Sequence, residues 1–263
     1  MNIFVTLNSN YVYPLCCMFR SLASTNKENS FDIFVGYSSL TDEDFEKMSS
    51  ALTGIDVTLH KVKVPEHIFE NYPILSRISV ETYYRLLLAE LLPIDVEKVL
   101  YLDPDIIINK DLKELYNIDI SNCLVAGCPH LYGFNNDVNT FRLGLDKNTN
   151  YINAGVLLIN AKKWRETISK DDVFDYVSKN KNNKLKLFLA DQDVMNVLCK
   201  GKILDIDEKR YNLDEKTFKH FSKKIDLEWV KKNTVVIHFN GKHKPWKEEN
   251  YKGELGEFFE KYK

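Results

Sequence analysis

Two carboxylates one residue apart, Asp103 and Asp105, sit inside the run Lys98 to Ile108 with apolar side chains on both sides. Two acids beside that much apolar surface repel each other unless a cation or a donor lies between them. A divalent metal would answer that need. Asp-Pro-Asp is equally ordinary turn material, so on these residues alone the two readings stand level. Three other places carry chemistry. Arg85 falls within the apolar-periodic segment Ser79 to Leu92, where a lone arginine is more often solvated or paired at the surface. Asp191 and Asp193 flank Gln192 at the start of a helical stretch, where acids favour the positive end of the helix dipole without any further role. His238 ends a β-branched run and leads into Asn240-Gly241-Lys242-His243-Lys244-Pro245-Trp246, which can offer an imidazole ligand and cations for an anion. A single histidine at a strand end is more often structural.

The elements that must position these groups follow from periodicity. Lys98 to Leu102 reads as a buried parallel strand. Its C-terminal end, where the acids lie, is where open α/β sheets bind ligands. Pro104 disfavours helix through the pair. Upstream, Ile3 to Leu7 predicts a strand and Tyr11 to Leu22 a helix with Pro14 in its first turn. Asp32 to Tyr37 predicts a second strand, Thr41 caps a helix running to about Leu52, and Ile55 to Val64 predicts a third strand. Strand alternating with helix is the mark of a parallel, nucleotide-binding type of sheet. Downstream, a short helix is expected at Asp111 to Leu115 and a strand at Cys123 to Gly127. Pro129 to Asn150 has no clean period and reads as a long loop, a feature that is often functional. An interior strand is expected at Tyr151 to Asn160, a helix from Ala161, and a solvated Lys/Asn linker at Lys179 to Lys186. The chain then predicts a helix from Asp191, a strand at Thr234 to Phe239 and a surface helix in the tail.

Composition narrows the class. In 263 residues, 44% hydrophobic and 28% charged content describe a globular chain able to bury a sizeable core. A formal net charge of −2 gives no electrostatic case for nucleic acid. Cys16, Cys17, Cys123, Cys128 and Cys199 are odd in number and lack zinc-site spacing, as expected for buried thiols in a reducing compartment. The first residues lack the pattern of a secretory signal, and no apolar run reaches the ~18 residues of a membrane span. A cytoplasmic protein is the expectation.

Five segments in order change the weight of these readings. Thr82 to Arg85, Tyr101 to Asp105, Tyr151 to Asn160, Ala190 to Asp193 and His238 to Trp246 closely resemble the pattern of glycosyltransferase family 8, which includes bacterial lipopolysaccharide galactosyl- and glucosyltransferases. The resemblance runs from Ile3 to about Trp246. It implies a GT-A fold, a Rossmann-like, mixed but mostly parallel sheet flanked by helices. Residues 1–250 would form the transferase domain, with 1–108 its nucleotide-binding half and 109–250 its acceptor- and sugar-binding half, followed by a surface helix over 251–263. The implied activity is a retaining, UDP-sugar-dependent hexosyltransferase moving glucose or galactose to a glycan acceptor in lipopolysaccharide or other cell-surface polysaccharide synthesis.

Carried over residue by residue, the resemblance implies that Asp103, Asp105 and His238 bind Mn²⁺, with Mg²⁺ an alternative, and that the metal bridges the two phosphates. Pro104 lies between the two acids. Gly241 and Lys244 match a loop that closes on the pyrophosphate. Thr6, Asn8, Asn10 and Tyr11 match the segment that holds uracil and ribose. Arg85, Asn153, Ala154, Asp191 and Gln192 match positions that grip the sugar, with Gln192, Asp191, Arg85 and Asn153 nearest the chemistry.

Two departures stand out. Asn8-Ser9 occurs where family members often carry Asp, so selectivity for uridine rests on an amide. The chain also stops soon after the His238 loop, without the long basic, aromatic tail of some bacterial members. Lys216 to Lys224 is basic with Phe218 and Phe221 interleaved, so weak peripheral contact with the inner face of the membrane is the alternative to a solvated helix face there. Competing functions are a metal-dependent phosphohydrolase, which usually carries its Asp-x-Asp on the first strand, and a non-catalytic nucleotide-sugar-binding protein.

Overall fold

The computed structural model describes residues 1–65, 80–130, 134–147, 149–180, 182–183 and 185–263. The first half alternates as its periodicity predicts. β1 (Asn2–Thr6), β2 (Ser30–Tyr37) and β3 (Asp56–Lys63) pair in parallel, joined by helices Val12–Thr25 and Asp42–Ala51. Thr41 and Asp44 close the second helix with reciprocal side-chain to backbone bonds, and Gly54 leaves it at φ +96°.

β4 (Lys98–Leu102) adds to β1 in parallel, and β5 (Ile106–Ile108) follows after the Asp103-Pro104-Asp105 turn. β6 (Val125–Pro129), β7 (Ile152–Asn160) and β8 (Ile203–Asp205) complete a seven-stranded sheet of order β3-β2-β1-β4-β7-β6-β8. β7 runs antiparallel to both neighbours, β4 and β6, so its first residues lie beside the C-terminal end of β4. β9 (Val236–His238) pairs antiparallel with β5 in a second, two-stranded sheet.

Alternation along the central strands splits the core. Ile3, Val5, Ile33 and Val35 pack on the side of the first two helices, while Phe4, Phe34, Val99 and Tyr101 face Tyr84, Leu88 and Trp164 across the sheet. A third cluster joins Ile107 and Ile237 of the small sheet to Leu213, Leu255, Phe258 and Phe259.

Four expectations change. The segment expected as one helix over Ser79 to Leu92 is a 3-10 helix at Val80–Leu87 followed by a single α-turn at Leu88–Leu91; Ser79 lies outside the described residues. The region read as a loop from Pro129 to Asn150 contains the helix Phe134–Leu143, with 131–133 and 148 outside the described residues. Its polar residues hid the period. Within the expected Lys179 to Lys186 linker, residues 181 and 184 also lie outside them. The tail carries a helix only at Gly256–Glu260, and Leu255, Phe258 and Phe259 are buried, unlike the expected surface helix. In the basic segment, Phe218 is buried in the third cluster rather than interleaved on an exposed face. Among the described residues, no helix is long and apolar enough to cross a membrane.

Candidate active site

The site collects where strand ends converge. β1 delivers Thr6, β4 delivers Asp103, the reversed β7 delivers Asn153 to Gly155, and the β5–β9 ladder sets His238 opposite Ile106. Two backbone bonds fix the junctions: Asp103 N–H donates to the Gly155 carbonyl at 2.8 Å, and Phe239 N–H donates to the Asp105 carbonyl at 2.9 Å. A cavity of about 1200 Å³ opens over them.

Asp103, Asp105 and His238 each offer a ligand atom within 4.8 Å of the other two. His238 Nε2 lies 3.1 Å from Asp105 Oδ1 and 3.6 Å from Asp103 Oδ2. Its Nδ1 lies 2.8 Å from Asn212 Oδ1. Both ring nitrogens therefore face acceptors, and a proton or a metal ion belongs between Nε2 and the carboxylates. Oxygens plus one imidazole suit a hard divalent cation. The residues present fit one. Gly155 makes the room: a Cβ there would stand 2.6 Å from Asp103 Oδ2 and 3.0 Å from Asn153 Oδ1.

Positive charge closes on the acids from two sides. Lys244 Nζ donates to Asp105 Oδ2 at 2.7 Å and to the Phe239 carbonyl at 2.6 Å. Burial pushes the Asp105 carboxyl up, but His238 and Lys244 hold it well below the usual carboxylate range. Arg85 is buried; it pairs with Asp103 Oδ1 at 2.9 Å and Asp191 Oδ2 at 3.1 Å, and donates to the Ala154 carbonyl at 2.6 Å and, through Nε, to the Thr82 carbonyl at 3.1 Å. Its guanidinium carbon also sits 4.5 Å from the centre of the Tyr101 ring. Burial disfavours the charge on Arg85, and Asp103, Tyr101 and Asp191 together more than offset this, raising its pKa above the ordinary value. Asp191 stands differently. Burial pushes its carboxyl up to about 7, with Arg85 pulling it down and Asp103 adding to the rise.

A second ring of polar contacts holds this set. Thr6 Oγ1 lies 2.9 Å from the Tyr101 hydroxyl, which donates to Asp103 Oδ1 at 2.8 Å. Asn153 Nδ2 and Ala154 N–H both donate to Gln192 Oε1, at 3.1 and 3.2 Å. Asp193, fully buried, accepts from Arg142 twice, at 2.6 and 2.8 Å, from the Tyr151 hydroxyl at 2.6 Å and from Leu189 N–H at 2.8 Å. It anchors the helix Asp191–Leu198 rather than facing the cavity. Just before that helix, Ala190 adopts φ 44°, a left-handed conformation that costs a residue with a Cβ about 1–3 kcal/mol and clusters at functional sites.

Thirteen of the predicted site residues, together with Pro104, line the cavity; Asn10 does not, being exposed with its N–H donated to Asn8 Oδ1 at 3.1 Å. Asn8 keeps a second lone pair on that oxygen. Tyr11 reaches in from the same turn, its hydroxyl pKa pushed up to about 12 by burial and by Asp105 and Asp103. Gly241 is exposed on the wall. Sequence reasoning missed Asn212, the hydroxyl of Tyr101 and the Arg142–Asp193 clamp. The small residues of Asn153-Ala154-Gly155 gave a signal for close approach; Asn212 gave none.

Comparison with known proteins identifies a family and a fold. The model of "Glycosyl transferase family 8" matches residues 2–250. A putative glycosyltransferase of Haemophilus influenzae is 31% identical over 94% of this chain and 73% of its own. A lipopolysaccharide 1,2-glucosyltransferase of Escherichia coli K12 is 24% identical over 94% of this chain and 72% of its own. In fold, the chain is similar to the galactosyltransferase LgtC crystallised with donor and acceptor sugar analogs, with a TM-score of 0.81 at 24% identity over 100% of this chain and 95% of that one. The sheet order and flanking helices are those of the GT-A fold in a single domain. With the match spanning nearly the whole chain, the protein belongs to glycosyl transferase family 8.

Proposed function

We propose that this protein is a metal-dependent, retaining hexosyltransferase that moves glucose or galactose from a UDP-sugar to a glycan acceptor. The observation that carries the reading is the meeting of Asp103, Asp105 and His238 between Lys244 and Arg85, in a cavity also lined by Asp191 and Gln192. The names of the relatives, a lipopolysaccharide glucosyltransferase and a galactosyltransferase, support a hexose donor and an acceptor in lipopolysaccharide or another cell-surface polysaccharide. We place the reaction in the cytoplasm or at the inner face of the membrane, with residues 1–108 holding the nucleotide and 109–250 the sugar and acceptor.

Asp103, Asp105 and His238 would hold Mn²⁺ or Mg²⁺, which supplies Lewis-acid neutralisation of the departing diphosphate. Lys244 is the mobile cation of the site. It leaves Asp105 for phosphate oxygens and stabilises charge as it grows there. Arg85, Asp191 and Asn153 orient the sugar, and that orientation supplies much of the rate. Thr6, Asn8 and Tyr11 lie where the nucleoside would rest.

The amide network bears on how the configuration is kept. Gln192 Oε1 already accepts from Asn153 Nδ2 and Ala154 N–H. An amide oxygen with both lone pairs occupied is a poor nucleophile. This favours same-face attack: the acceptor oxygen bonds to the anomeric carbon as the bond to UDP breaks, and the acceptor proton passes to the leaving phosphate. Asp105→Asn tests the reading. It should lose metal-dependent UDP release while keeping the wild-type circular dichroism spectrum. Unchanged turnover would place the metal elsewhere.

A further inference from the structure

Behind the cavity, outside its lining and only 5% exposed, lies Asn212. Its position is set by backbone. Leu213 N–H donates to the Val236 carbonyl at 3.0 Å, and His238 N–H donates to the Leu213 carbonyl at 2.8 Å, so Leu213 sits in parallel beside Ile237 and Asn212 beside the His238 ring.

The orientation of its amide follows from donors that cannot be reversed. Gly155 N–H donates to Asn153 Oδ1 at 2.8 Å, so that atom of Asn153 is an oxygen. The Asn212 atom 2.9 Å from the same oxygen must then be Nδ2, the donor. That leaves Asn212 Oδ1 facing His238 Nδ1 at 2.8 Å, and Nδ1 must carry the proton. The same logic runs the other way. Ala154 N–H marks Gln192 Oε1 as oxygen, so Asn153 Nδ2 is the group donating to it. One unbroken chain of fixed direction runs from His238 through Asn212 and Asn153 to Gln192.

We infer that Asn212 is a positioning residue that couples the two halves of the site: its oxygen fixes the His238 tautomer with Nε2 free to ligate, and its NH₂ fixes the Asn153 amide that faces the sugar. The inference rests on the function proposed above. A histidine ligand whose other nitrogen donates to a buried acceptor is held in both rotation and tautomer, and loss of such a partner costs about 10- to 100-fold in metal affinity. Asn212 differs from a simple ligand support because its second hydrogen bond leaves the metal cluster altogether.

Two variants separate its two roles. Asn212→Leu removes both bonds, whereas Asn212→Asp keeps an acceptor for His238 Nδ1 and loses the donor to Asn153. Mn²⁺ affinity in the presence of UDP, read by the electron paramagnetic resonance of free Mn²⁺, should fall about 10- to 100-fold in Asn212→Leu and stay within about threefold of wild type in Asn212→Asp. In Asn212→Asp, the preference for UDP-glucose or UDP-galactose over UDP should fall about tenfold, because the sugar grip alone has lost its support. Nitrogen-15 shifts of His238 in the metal-free protein give a readout independent of activity. They should show a protonated Nδ1 in wild type and Asn212→Asp, and loss of the Nδ1 proton in Asn212→Leu, where only Nε2 still faces an acceptor, Asp105. If wild type binds Mn²⁺ with UDP but Asn212→Leu binds it equally well with an unchanged His238 tautomer, the inference is overturned and the functional reading stands. If wild type with UDP binds no Mn²⁺, the functional reading fails, and the coupling fails with it.

Discussion

The ammonium of Lys244 rests on Asp105 Oδ2 at 2.7 Å, the carboxylate that the metal reading assigns to a cation. Both side chains are largely buried, so neither charge is well served by water. On the proposed function, Lys244 stands in here for positive charge and moves to the diphosphate on binding. Lys244→Met should therefore lower kcat by about 10²–10³-fold while leaving the fold intact. Steady-state UDP release measures it, and a loss below about threefold would mean that Lys244 serves only to neutralise Asp105.

Gly155 lies against both Asp103 and Asn153. A methyl group on it would press on Asp103 Oδ2 from 2.6 Å, a distance that forces a shift. Gly155→Ala should weaken Mn²⁺ binding at least about tenfold. Isothermal titration with Mn²⁺ and UDP checks this; unaltered affinity would show that the ligands have slack the packing does not reveal.

Asp191 gives a pH signature. Its carboxyl titrates at about 7 in the fold against an ordinary 3.8, chiefly because it is buried. The folded state binds this proton more tightly than the unfolded chain does. Its contribution to stability is therefore full below 3.8, declines as pH rises, and is lost by about 7. The unfolding free energy of metal-free wild type relative to Asp191→Asn should fall across that window. Turnover should run the opposite way, rising through about pH 7 as the carboxylate becomes able to accept from a sugar hydroxyl. A flat difference in stability would contradict the burial argument.

Asp193 is predicted to act on stability before chemistry. Asp193→Ala strands the Arg142 guanidinium, whose side chain is 9% exposed, and frees the turn at Ala190. Breaking a buried pair from one side costs about 3–5 kcal/mol. Urea denaturation should show a loss of that size, and one under about 1 kcal/mol would deny Asp193 its anchoring role.

How much of this was legible in the sequence depended on the range of the cause. The strands around Ile3, Ile33 and Leu100 follow from local apolar runs, and Thr41 announced its helix through a cap. Asp103 and Asp105 were visible as a pair, but their partner His238 lies 133 residues beyond Asp105 and is brought there by the β5–β9 ladder. Its proposed role as a ligand came through family resemblance rather than periodicity. The reversal of β7 leaves no mark on a strand buried along almost its whole length, yet it is what sets Gly155 beside Asp103. Phe134–Leu143 was unreadable because Asn135, Asn136 and Asn139 are weak helix formers. Asn212 was silent because an amide looks the same in a surface turn as at the centre of a buried network.

The central claim is that the Asp103, Asp105 and His238 cluster serves sugar transfer from a uridine diphosphate donor. Incubating the protein with UDP-glucose and with UDP-galactose, each with Mn²⁺ and with EDTA, tests it most directly by the UDP released. The account predicts release from at least one donor with Mn²⁺ and its loss with EDTA. No metal-dependent release from either donor would contradict it.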